Sequence, residues 1–96
     1  MKVIAIGSIV QPISPEKRQQ IMPQEVPATL KLYLEGTIEQ FWYRQDKPGV
    51  VFLMNAESLE KARLAVEALP LVTAGAAKYE LIQVGPLKPL ERLLPE

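Results

Sequence analysis

The chain has no cysteine and no histidine. Without cysteine there are no disulfides, no thiolate chemistry and no cysteine-type zinc site. Without histidine the commonest transition-metal ligand and the commonest general base are both missing. Asp46 is the only aspartate, and the glutamates form no tight cluster in the sequence, so no carboxylate metal site is expected. Charge of one sign is not in excess: 11 basic residues face 11 acidic ones, without the basic footprint of a nucleic-acid binder. No run of like charge makes a membrane-binding patch, and no apolar stretch is long enough to span a bilayer. The first ten residues carry one lysine and a short apolar run, but no small-residue cleavage site follows, and their β-branched content suits a strand. A cytoplasmic protein is therefore expected. There is no glycine-rich phosphate loop, dinucleotide fingerprint or nucleophile elbow, and no cofactor is expected.

What the sequence does have is apolar patterning. Its 96 residues are 48% hydrophobic, which predicts one folded domain. Residues 2–10 read as a strand that is apolar at both parities, hence buried on both faces. Ser14-Pro15 is a helix start, with serine as cap and proline at the first helical position. Pro23 and Pro27 predict that this helix breaks into two pieces, over about 15–22 and 24–35, because an internal proline costs about 3 kcal/mol. Val26, Leu30, Tyr33 and Leu34 make the apolar stripe of the second piece, and Gly36 its stop.

Residues 37–44 read as a second strand, with Thr37, Glu39, Phe41 and Tyr43 on one face and Ile38, Gln40, Trp42 and Arg44 on the other. Trp42 is expected in the core or against a helix. Asp46-Lys47-Pro48-Gly49 is a turn, and residues 50–55 form a third strand, again apolar on both faces. Ser58 caps a helix built on Leu59, Ala62, Val66 and Leu69, and Pro70 stops it. Residues 72–77 connect to a fourth strand over 78–84. The tail, 87–96, carries Leu87, Leu90, Leu93 and Leu94, and is expected to pack on its own sheet edge or across a subunit boundary.

The order strand, helix, strand, strand, helix, strand predicts an α+β, ferredoxin-like βαββαβ domain, with a four-stranded antiparallel sheet and both helices on one face. Two strands apolar on both faces would leave the second sheet face exposed in a monomer. Stacking that face on a second copy is the economical solution. A homodimer or larger homo-oligomer is therefore expected, closed into a barrel-like sandwich.

With Gly36 and Trp42 around the second strand, Glu57-Ser58 before the helix, Ala68-Leu69-Pro70-Leu71 after it and Pro86-Leu87 past the last strand, the chain from about residue 24 onward resembles the muconolactone isomerase-like branch of the dimeric α+β barrel superfamily. The resemblance implies homodimers, a small cavity in each barrel half, and a cofactor-free proton shift in a small unsaturated lactone. None of the matching residues is a proton-transfer group, so no catalytic residue carries over.

The candidate chemistry therefore comes from the second strand itself. Glu39 in a partly apolar wall would have a raised pKa and serve as general base for a proton beside a carbonyl. Tyr43 would donate to the developing enolate oxygen, and Arg44 would attract a carboxylate. Glu80 is the alternative carboxylate. The functional expectation is an isomerase or lyase acting on a small anionic unsaturated metabolite. A non-catalytic oligomeric module that binds a small ligand, or only assembles, stands beside it.

Overall fold

The computed structural model describes residues 1–94. Its elements are β1 (Lys2–Ile9), α1 (Pro15–Leu34), β2 (Ile38–Tyr43), β3 (Gly49–Asn55), α2 (Leu59–Glu67), the one-turn helix α3 (Pro70–Thr73), β4 (Ala77–Val84) and a 3₁₀ helix over Lys88–Leu93. The four strands form one antiparallel sheet in the order β2-β3-β1-β4. This is the ferredoxin-like arrangement predicted from the sequence.

Side chains alternate across each strand, so one set faces the helices. Val3 and Ala5 of β1, Phe52 and Met54 of β3, and Ile38 of β2 join Ala62, Val66 and Leu69 in the core. Each is at most 2% exposed. The opposite set makes an open face: Ile4 and Ile6 of β1, Val51 and Leu53 of β3, Trp42 of β2 and Ile82 of β4. None of the described elements packs over it, and Trp42 and Ile82 are 48% and 44% exposed. Trp42 thus lies on the open face, not in the core or against a helix.

The serines cap as their positions predict. Ser14 Oγ accepts from the Lys17 N–H at 3.2 Å and Ser58 Oγ from the Lys61 N–H at 3.1 Å. Gly36, at φ 84°, reverses the chain after α1, where a side chain would be strained.

Three expectations need correction. α1 is one continuous helix, with Pro23 and Pro27 inside it. Their spacing of four puts both prolines on one exposed side, and Pro27 lacks the N–H that would have bonded the Pro23 carbonyl. Water can satisfy the freed carbonyls there, and this lowers the cost of keeping the helix intact. The helix is also rotated from the predicted phase. Ile21, Glu25, Ala28 and Leu32 face inward, while Val26, Leu30, Tyr33 and Leu34 remain 43–75% exposed. Finally, the tail does not pack on its own sheet. Leu87, Leu90, Leu93 and Leu94 are 52–77% exposed.

Candidate functional site

The predicted site strand is divided by an irregularity. The β2–β3 register shifts between Ile38 and Gln40, leaving Glu39 as an extra, unpaired residue. Beyond it Phe41 and Tyr43 pair with Phe52 and Val50 on the helix side, and Phe41 meets Tyr33 of α1 edge-on, with ring centroids 5.4 Å apart. Gln40 and Trp42 share the open face. Glu39, in the bulge, turns to form an ion pair with Lys2, in which both side chains are partly exposed.

Arg44 lies across the open-face end of the sheet. Its Nε and Nη2 donate to the Asp46 carboxylate at 2.9 and 2.6 Å, and its Nη1 donates to Ser8 Oγ at 2.7 Å. The side chain is only 13% exposed. It lies over Gly49, where an added Cβ would fall 3.0 Å from Arg44 Cδ and 2.1 Å from the Gly7 carbonyl oxygen. The guanidinium hydrogen bonds hold the Asp46 carboxyl down to about 2. In return Asp46, and more weakly Glu80, push Arg44 above its usual value. The structure therefore separates the three predicted residues. Glu39 and Arg44 are both engaged in ion pairs. Tyr43 sits on the helix side of the sheet edge, 83% exposed.

Sequence reasoning missed Glu25. It is the one buried charged residue among those described, 7% exposed, and it makes no ion pair there. Its place in the inward stripe of α1 aims it at the layer between helix and sheet. Its Oε2 accepts from the Leu71 N–H at 3.0 Å. Burial pushes its pKa up, and that one hydrogen bond only partly offsets the shift.

Tyr79 of β4, on the helix side of the sheet, feels the charge of Glu25. The Tyr79 ring leans over Gly7, where a Cβ would be 2.7 Å from it, and stacks on Phe52 with centroids 5.6 Å apart. Burial, reinforced by the negative charge of Glu25, pushes the Tyr79 hydroxyl well above its usual pKa and keeps it a proton donor. The signal for Glu25 was available: a lone glutamate at apolar spacing with Ile21, Ala28 and Leu32. The row Tyr43, Val50, Gly7, Tyr79 runs straight across the helix side of the sheet at this end.

An open groove of about 730 Å³ lies elsewhere, between Met1, the end of α1 and α2, and none of Glu25, Glu39, Tyr43 or Arg44 lines it. Among the described residues no group of three or more acidic side chains could hold a metal ion, and no helix is long and apolar enough to cross a membrane.

No protein-family model matches this chain, and no curated protein matches it in sequence. Solved structures do match in fold. One is muconolactone isomerase, with a TM-score of 0.77 and 19% identity, over 90% of each chain. Another is the 5-chloro-2-hydroxyhydroquinone dehydrochlorinase TftG of Burkholderia phenoliruptrix, solved with 2,5-dihydroxybenzoquinone. It has a TM-score of 0.70 and 18% identity, over 92% of this chain and 97% of that one. The chain therefore shares its α+β fold with these two proteins, the fold that the sequence resemblance implies.

Proposed function

We propose that the protein is a homodimeric, cofactor-free isomerase or lyase acting on a small, oxygenated, unsaturated anion, with Glu25 as its general base. The carrying observation is a carboxylate only 7% exposed that makes no ion pair among the described residues, its pKa raised, and whose charge is felt by the Tyr79 phenol on the same side of the sheet. Leaving a carboxylate in such a position opposes folding, and perturbed groups of this kind concentrate at functional sites. Support also comes from the fold shared with an isomerase and a dehydrochlorinase of small ring compounds.

The chemistry is a proton shift. Glu25 removes a proton from carbon next to a carbonyl, and the electron pair moves into the carbonyl as an enolate. The Tyr79 hydroxyl donates to that oxygen, where the bond strengthens as charge develops. Returning the proton at a different carbon completes an isomerisation. Loss of an anionic leaving group from the neighbouring carbon completes an elimination instead. Tyr43, at the far β2 end of the row that holds Tyr79, lies three strand spacings away and stands outside this chemistry. On the other face of the sheet, Arg44 and Glu39 would flank the apolar surface on which a second copy stacks.

The test is turnover of small carboxylated lactones and hydroxyquinones, followed by ultraviolet absorbance and by deuterium uptake from heavy water. Wild type is expected to exchange or convert at least one of them. Glu25→Gln is expected to lose on the order of 10²–10⁴-fold, the range of general-base catalysis. Full activity in Glu25→Gln would remove Glu25 from the chemistry.

The engagement of Glu39 and Arg44 in ion pairs favours a second reading: an oligomeric module that binds a small ligand or only assembles. Ligand binding without exchange across the series would decide for it.

A further inference from the structure

A side chain only 7% exposed cannot take a proton from a bound molecule unless something around it moves, and the open groove beside Met1 does not extend to Glu25. The elements near Glu25 are not equally free to move. β4 is paired with β1 along its whole length, and α1 is a 20-residue helix. α3 is held differently. None of Pro70–Thr73 is buried, and the Leu69 cap makes no side-chain hydrogen bond. Val72 reaches only the margin of the core.

The backbone bonds of the segment point the same way. The amides of Val72 to Ala76 all donate to carbonyls within residues 69–76, so they can travel with the turn. The Leu71 N–H is the exception: it donates to Glu25 Oε2 at 3.0 Å. The segment is anchored at both ends. Leu69 is 2% exposed and Ala76 5%, and the Ala76 carbonyl accepts from the Val10 N–H at 2.8 Å. Just inside the second anchor stands Gly75, at φ 76°. A Cβ there would meet nothing within 4 Å, so backbone freedom and not space is what this position uses. Segments with few buried apolar contacts are the ones that open locally while the core stays closed.

We infer that α3 is a flap over the Glu25 carboxylate, pivoting between Leu69 and Gly75 and latched by Glu25 itself, and that it opens to admit a small ligand. The inference rests on the reading of Glu25 as the base and gives that site its entrance. Opening removes the only hydrogen bond that the carboxylate accepts among the described residues. A carboxylate without its donor holds a proton more strongly. The motion that uncovers Glu25 therefore also strengthens it as a base, and closing favours return of the proton.

Amide hydrogen exchange followed by NMR tests the latch without any need for turnover. In wild type the Leu71 N–H is expected to exchange well ahead of the core amides of Ala5 and Phe52. In Glu25→Leu it is expected to exchange about tenfold faster again, the worth of a hydrogen bond to a charged group, while Ala5 and Phe52 do not follow. Glu25→Gln keeps an acceptor and is expected to fall between. Access is tested by a thiol, since the chain has no cysteine of its own. The thiol of Glu25→Cys lies under the flap, and N-ethylmaleimide is expected to modify it much faster than that of Ala62→Cys in the closed core. Circular dichroism checks that each variant is folded. A Leu71 amide that exchanges only together with Ala5 and Phe52 would overturn the flap, as would equal modification of the two thiols. Either result would leave the turnover assay to judge Glu25 as base by itself. The expected exchange and modification in a protein that turns nothing over would instead remove the base and leave the flap standing.

Discussion

The Glu25 carboxylate accepts the Leu71 backbone N–H at 3.0 Å, and so ties the middle of α1 to the first turn of α3. One neutral donor compensates a buried charge poorly, and the carboxylate is left tilted toward its protonated form.

That tilt has a pH signature. The pKa of Glu25 is raised in the folded chain, so the folded state binds the extra proton between the unfolded value and the folded one. Stability is unpenalised below the ordinary value of 4.5, falls as pH rises through the folded pKa, and carries the full penalty above it. Glu25→Gln keeps an acceptor for Leu71 and removes the charge. Its melting temperature is expected to exceed that of wild type at neutral pH and to converge with it below the ordinary glutamate range. A variant that melts lower than wild type at pH 7 would mean that the charge stabilises the fold.

Asp46 behaves in the opposite way. Its folded pKa is held at about 2, below the ordinary 3.8, chiefly by the hydrogen bond from Arg44. Whatever stability the pair contributes is present above 3.8 and lost as pH falls towards 2. Both groups border solvent, so the effect on stability is small. The clean readout is the carboxyl carbon titration by NMR. Its midpoint is expected near 2 in wild type and to rise towards the ordinary aspartate value in Arg44→Ala. An unchanged midpoint would exclude Arg44 as the cause.

Two glycines of this end of the sheet differ in what a methyl group would strike. At Gly7 it would meet the Tyr79 ring at 2.7 Å, and the ring is stacked on Phe52. Displacing a packed ring costs typically about 1–3 kcal/mol. At Gly49 it would meet the Gly7 carbonyl oxygen at 2.1 Å, with φ at +156°. Backbone cannot swing aside as a ring can. Urea denaturation is expected to show Gly7→Ala destabilised by about 1–3 kcal/mol, and Gly49→Ala by more. Equal losses would mean that the strands slide to relieve both.

The strands, caps and turn were legible because each rests on local chemistry: β-branched runs, serine before a helix, glycine after one. The sheet order followed from those elements. Two things were not legible. The bulge at Glu39 adds one residue to β2, so Ile38 shares the helix side with Phe41 and Tyr43 although strict alternation separates them. In α1 the more apolar stripe, Val26-Leu30-Tyr33, won on sequence, yet the fold buries the stripe that contains Glu25. A helix with apolar residues on two sides gives the sequence no way to choose between them. The charge that counted against the buried stripe is the feature that makes it a candidate site.

The same ambiguity makes Trp42 a reporter. It is the only tryptophan, it lies on the open face between Gln40 and Arg44, and it is 48% exposed in the protomer. Beside it Val51 and Ile6 continue the same row. If two copies stack by this face, Trp42 leaves water on association. Its fluorescence is then expected to shift to the blue as protein concentration rises, in step with the mass seen by light scattering. Ile6→Glu places an unpaired charge in the middle of the face, where burying it would be costly. It is expected to hold the emission at the red, half-exposed position at every concentration. It is also expected to lower the mass to that of the monomer. A concentration-independent emission in wild type, together with an oligomer that Ile6→Glu leaves intact, would mean that the chain associates through another surface and that the open face stays in water.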